Sequence, residues 1–169
     1  MKAAIAENQK ISIQDMPQPQ LSDYNNEGAI VKVLGCGLCG SDIVKFLHNS
    51  EQKVLGHEVV GEIVDIRPRF LSKFKIGDKV VLGHHVPCMK CDYCENKNYS
   101  MCRQFKETNI FPGGFAEYIY VSPKHLKNTV FKVPENLDDM EISFMEPLAC
   151  CIRAVERAEV KRGTYSLVI

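Results

Sequence analysis

The sequence lacks an excess of charge of either sign: 21 lysines and arginines face 21 aspartates and glutamates in a chain of 169 residues. Without a net field, nothing draws the chain as a whole to nucleic acid or to an acidic membrane surface. Long apolar runs are missing too, and none reaches the ~18 residues of a membrane-spanning helix. The opening MKAAIAENQK has no apolar core of the kind that marks a secretory signal. No internal repeat is visible. These absences lead us to expect a cytoplasmic chain with neither nucleic-acid nor membrane partners. What is present suits a globular domain, with 45% hydrophobic and 25% charged residues.

Cysteine is the exception, with eight in the chain. Four fall within CMKCDYCENKNYSMC, Cys88 to Cys102, spaced C-x2-C-x2-C-x7-C. Dense disulfides belong to small secreted domains, a setting the opening residues do not suggest. A metal fits the spacing better. Two-residue gaps let successive thiolates face one centre. Cys88, Cys91, Cys94 and Cys102 together complete the tetrahedral shell that zinc prefers in structural sites. A filled shell leaves no position for water or substrate, so this cluster is expected to be a staple. His84 and His85 stand just upstream, but four thiolates already suffice. The chemistry has to be sought elsewhere.

Up to about residue 135 the pattern is strands and turns. MKAAIAE and KISIQDM alternate, GAIVKVLGCG ends in glycine-rich punctuation, and EVVGEIVDI is a β-branched run. KIGDKVVLG reads as a turn into a strand, and GGFAEYIYV as a strand entered through two glycines. The period then changes. Leu148, Cys151, Ile152 and Val155 fall at helix spacing, Pro147 suits a first helical turn, and the helix is expected to end near Ala158. Cys150 and Cys151 are expected to pack beside this helix as inert buried thiols. KRGTYSLVI, residues 161–169, reads as a turn into the first strand of a further domain.

Two stretches outside the cluster combine ligand types: GCGLCGSD, which holds Cys36, Cys39 and Asp42, and GHE, residues 56–58. A catalytic zinc takes about three protein ligands and one exchangeable position. Cys39 and His57 supply two, and the third can come from Glu58 or from Glu146 in MEPLACC. Singly, each has a plainer reading, as a small residue in a tight turn or a histidine hydrogen-bonded before a strand. Together with a tetrathiolate cluster, they point to a second, open metal site.

The motifs GLCGSD, GHEVVGEIV, GDKVV, the four-cysteine lobe, GGFAEYI and EPLA occur here in one order. In that order the chain resembles the zinc-dependent medium-chain alcohol and polyol dehydrogenases, over nearly its whole length. EPLA is closer to the sorbitol and sugar-alcohol branch, since classical alcohol dehydrogenases carry a cysteine ligand there. The resemblance implies a mainly-β fold, a GroES-like partly open barrel over residues 1–146 with a zinc lobe at about 84–104. A connecting helix at 147–160 would lead to a dinucleotide-binding domain that begins at 161–169 and lies outside this chain.

It also implies two zinc ions per chain. Cys88, Cys91, Cys94 and Cys102 would hold the structural one. Cys39, His57 and Glu146 would surround the catalytic one, with Glu58 bound directly or through water. Ser41 would take the alcohol proton, and Asp42 would accept from the second nitrogen of His57. Zinc-assisted hydride transfer would run from a secondary alcohol or polyol to NAD or NADP, in a homo-oligomer when full-length, with this chain silent alone. One departure stands out: many relatives relay the proton through a histidine where this sequence has Val44, with His48 a possible substitute from a nearby turn. The rival reading is a zinc-binding module for nucleic acid or protein. It calls for a basic surface beside the cysteines, where Lys90, Asp92, Glu95, Lys97 and Arg103 are mixed.

Overall fold

The computed structural model describes residues 1–48, 50–134 and 136–167. In chain order its strands are β1 (Lys2–Glu7), β2 (Lys10–Asp15), β3 (Ala29–Gly37) and β4 (Lys53–Val54). They continue as β5 (Glu58–Ile66), β6 (Lys79–Leu82), β7 (Tyr118–Val121) and β8 (Val130–Lys132). Among the described residues they form two antiparallel sheets and no closed barrel, with orders β2-β1-β4 and β7-β3-β5-β6-β8. The mainly-β, partly open architecture expected from the sequence is what is found. The β1–β2 hairpin turns on Asn8 and Gln9, both at positive φ, the two-residue geometry that matches strand twist. The sheets are stitched together where Ala4 N–H donates to Phe115 O (2.8 Å) and Glu117 N–H to Lys2 O (3.1 Å).

Period-two alternation explains the core. Along β5 and β6, Val59, Ile63, Val80 and Leu82 point into the main cluster, while Val60 and Val81 point to the opposite face. That second face is covered by Ile142. A central strand buried on both sides reads as a continuous β-branched run, as EVVGEIVDI does.

The helices are short: α1 (Gly40–His48), α2 (Asp92–Glu95), α3 (Arg103–Glu107), α4 (Pro123–Asn128), α5 (Asp139–Ser143) and α6 (Met145–Arg157). The sequence analysis does not anticipate α1, although Ile43, Val44, Phe46 and Leu47 fall at helix spacing; Ile43, Val44 and Leu47 are exposed, Phe46 is half-buried, and Asp42 is the buried residue of the helix. The start of α5 is fixed by a capping box, with Asp138 accepting from Glu141 N–H (2.8 Å) and Glu141 from Asp138 N–H (3.1 Å). Only Phe144 separates α5 from α6, so docking Ile142 on the sheet also sets where α6 starts. The expected helix is present, two residues earlier than the Pro147 reading. Residues 161–167 are turn and irregular chain, exposed to solvent, and the last two positions of the expected strand, Val168 and Ile169, lie outside the described residues.

One buried histidine carries a prediction. His125 is 1% exposed; its Nε2 bonds His84 O (2.8 Å) and its Nδ1 bonds Ser122 Oγ (2.7 Å). His125→Ala leaves both partners unsatisfied and opens a cavity, an expected cost of about 2–4 kcal/mol. Burial holds this imidazole below its ordinary 6.5. Under acid the unfolded chain therefore takes up a proton that the folded chain resists. The contribution is full above the unfolded value and is lost as pH falls below it. Urea denaturation at about pH 7.5 and about pH 5.5 should show the gap between wild type and variant narrowing at the lower pH.

Candidate metal centre and active site

The β3–β5 ladder sets Cys36 opposite Val59 and Gly37 opposite Glu58. Cys39 lies just past β3 and His57 just before β5, so strand pairing alone brings Cys39, His57 and Glu58 to one end of the sheet. One ligand atom from each lies within 4.8 Å of the others. His57 and Glu58 are buried and Cys39 is half-buried. A side chain at Gly37 would collide with Glu58 Oε2, so glycine there admits the carboxylate.

Asp42, 1% exposed in the first turn of α1, organises the cluster. Its carboxylate accepts from Cys39 N–H (3.2 Å) and Gly56 N–H (3.1 Å) and lies 3.3 Å from His57 Nδ1. Both approaches to the pocket are thereby tied to one side chain. With Nδ1 engaged, Nε2 of His57 is left to face a metal, the arrangement that orients ligating histidines. Gly56 has φ +89°, and a Cβ there would press Cys36 Sγ and Phe115 N at 2.9 Å. Cys36 itself packs behind the site, where burial pushes its thiol up to about 12. Ser41 is exposed beside Asp42, and Val44 and His48 are exposed further along α1.

A second donor set shares His57: ligand atoms of His57, His84 and Glu146 also lie within 4.8 Å of one another. Glu146 arrives from the first turn of α6. His84, which sequence reasoning set aside, follows β6, and β6 pairs with β5 with Leu82 opposite Val59. That pairing is the signal that could have placed His84 beside His57. Their rings lie 4.5 Å apart between centroids. Burial, then the neighbouring His85 and His57 rings, push the His84 imidazole down to about 3, which keeps it neutral and able to donate a lone pair. Cys150 and Cys151 do not pack away as expected. Both are exposed on α6, a helix without a buried residue, although Cys150 Sγ reaches Glu146 Oε1 at 3.8 Å.

The four-cysteine lobe tests the metal reading directly. Cys91 Sγ and Cys94 Sγ are 3.6 Å apart and Cys88 Sγ and Cys94 Sγ 3.9 Å, with every cysteine a free thiol. Four sulfurs at about 2.3 Å from a tetrahedral zinc stand about 3.8 Å apart, whereas a disulfide holds two at about 2.05 Å. The Cys88 N–H donates to Cys102 Sγ (3.3 Å), a bond that favours the thiolate form a metal needs. The donors fit zinc.

Residues 25–135 match the alcohol dehydrogenase GroES-like domain. The chain is 32% identical over 174 residues to sorbitol dehydrogenase of Bacillus subtilis (strain 168), covering 97% of this chain and 47% of that protein. It is 33% identical over 168 residues to D-xylulose reductase A of Aspergillus oryzae, covering 94% and 45%. The crystal structure of galactitol-1-phosphate dehydrogenase from Escherichia coli is similar at TM-score 0.78 and 28% identity, over 94% of this chain and 45% of that one. The chain spans about half the length of the relatives it matches. No helix among the described residues is long and apolar enough to cross a membrane. Motif order, fold and these likenesses agree: the chain belongs to the zinc-dependent medium-chain dehydrogenase family and carries its GroES-like domain.

Proposed function

We propose that the protein oxidises a secondary alcohol or polyol to a ketone, passing hydride to NAD or NADP. The observation that carries this reading is the open donor set of Cys39, His57 and Glu58, with Asp42 behind His57. Zinc held there, with Glu146 at hand, would supply Lewis-acid polarisation of the alcohol oxygen. The chain's own residues do the rest. Asp42 fixes the His57 tautomer. Ser41 takes the hydroxyl proton on toward solvent, and a nicotinamide dinucleotide, when bound, would supply the hydride acceptor. The cysteine lobe holds a second zinc as a staple.

The dinucleotide would be bound by a domain starting near residue 161, after a catalytic domain over 1–146 and a connecting helix over 147–160. Relatives of about twice this length support that division, and a homo-oligomeric, cytoplasmic full-length enzyme belongs to the same proposal. GCGLCG, which joins β3 to α1, has the G-x-G-x-x-G pattern of a dinucleotide turn. Two features argue against that role. The Asp42 carboxylate occupies the helix start where a phosphate would sit, and β3 lies in an antiparallel sheet rather than a β-α-β unit.

The test compares the 169-residue chain with the full-length protein. Expected results are two zinc per chain by elemental analysis and no saturable NAD or NADP binding to the 169-residue chain by calorimetry. The full-length protein should turn over sorbitol, threonine or simple secondary alcohols. Dinucleotide binding by the short chain would overturn the division of labour. Zinc confined to the lobe would return the reading to a zinc-binding module without catalysis.

A further inference from the structure

We propose that Arg153 and Arg157 are positioning residues that tie α6 to the cysteine lobe and thereby hold Glu146 at the metal pocket. The inference rests on the reading that this pocket binds a divalent ion with Glu146 beside it. Glu146, Cys150, Arg153 and Arg157 recur at steps of four, three and four, which places them along one stripe of the helix. Leu148, Ile152 and Val155 fall on the opposite side and are exposed. The helix therefore meets the rest of the protein through its polar stripe, without a buried residue of its own.

The two ends of α6 are held differently. At the start, Met145 packs against the cluster of Val60, Val81 and Ile142, and Glu146 comes within 4.8 Å of donor atoms on His57 and His84. Further along, Arg153 Nη2 donates to Lys97 O (2.9 Å) and Arg157 Nη2 donates to Asn98 Oδ1. Both acceptors belong to the lobe. Lys97 N–H donates to Cys94 O (3.0 Å) and Asn98 N–H to Tyr93 O (2.7 Å), so a short run of bonds leads from a lobe cysteine to α6. A helix pinned at its start can still roll about its axis. With side chains it is about 10–12 Å across, so a roll of about 15° swings a surface carboxylate by about 1.5 Å. Two bonds on the stripe that carries Glu146 oppose that roll. Zinc in the lobe then anchors a residue of the pocket besides stapling its own segment. The plainer account is that two exposed arginines rest on the lobe without consequence, as many surface contacts do. The accounts part at the pocket, about seven and eleven residues away along the helix, roughly 10 and 16 Å.

The experiment titrates the pocket with Co2+, by calorimetry and absorption, in the chain that keeps zinc in the lobe after mild chelation clears the pocket. Arg153→Ala/Arg157→Ala should weaken pocket Co2+ by about 10-fold and shift its absorption toward that of Glu146→Gln, itself weakened at least as much. In the Glu146→Gln background the arginine changes should cost nothing further, the non-additivity of residues that act through one another. Each arginine donates to one acceptor here, so Arg153→Lys/Arg157→Lys should restore most of the affinity. Thermal melts check folding and elemental analysis checks the lobe zinc; Arg153→Ala alone carries the test if the double variant melts early. Wild-type affinity in the double alanine variant overturns the tether while the proposed function stands. So does an arginine effect that simply adds to that of Glu146→Gln, or a Glu146→Gln protein with wild-type affinity. Failure of wild type to bind Co2+ in the pocket overturns both.

Discussion

Cys91→Ser is expected to release one zinc per chain and to lower thermal stability far more than any other single cysteine change outside the lobe. The segment it disrupts has little else to hold it. Between Cys88 and Cys102 the helical pieces are a four-residue helix and a three-residue turn, and Met89, Tyr93, Tyr99 and Met101 are all exposed. Cys94 and Cys102 are the buried side chains there, and both belong to the four-cysteine cluster. Such a segment cannot offset the entropy of ordering its backbone by apolar burial, at about 1–2 kcal/mol per residue. In small zinc-folded peptides the metal contributes on the order of 10–16 kcal/mol near neutral pH, and three remaining thiols retain only part of it. His57→Gln, by contrast, should release the other zinc with a much smaller change in melting. Elemental analysis paired with thermal melts reads both. If Cys91→Ser kept two zinc ions and melted like wild type, the lobe would not be a staple.

The lobe was legible in the sequence because its spacing encodes its geometry: two-residue gaps put successive thiolates on one side of the chain. The long strands were legible for a related reason, since Val59 and Ile63 in one cluster and Val60 in another reproduce the alternation of EVVGEIVDI. β4 and β8, of two and three residues, are too short for any period to show. α1 is short, and although Ile43, Val44, Phe46 and Leu47 fall at helix spacing, only Phe46 is half-buried, while the Asp42 carboxylate turns back to the N–H of Cys39. Cys150 and Cys151 were misjudged on the same ground, for a helix pattern says which residues share a face and not what covers it. Cys39, His57 and Glu58 could be grouped from short motifs, but His84 required knowing that β6 pairs with β5.

Asp42→Ala is expected to weaken zinc binding in the pocket by about 10–100-fold and to destabilise the metal-free chain by about 2–4 kcal/mol. Both effects follow from one carboxylate that is 1% exposed and receives Cys39 N–H, Gly56 N–H and the Nδ1 side of His57. Removing it strands two backbone donors beside the ligands and frees the imidazole to rotate or change tautomer. Asp42→Asn separates the two effects. Its amide fills the same space and its oxygen still accepts, but its NH2 group must face one of the three donors. Stability should therefore recover most of the way, while zinc affinity stays below wild type because a neutral amide raises the basicity of His57 less than a carboxylate does. Urea denaturation of the metal-free proteins measures the first effect, and competition with a zinc-binding dye the second. The lobe zinc should remain bound in both variants, which ties the loss to the pocket. An Asp42→Ala protein with wild-type pocket affinity would show that His57 does not depend on this carboxylate for its orientation, and that the shared buried contact is a cap for α1 alone.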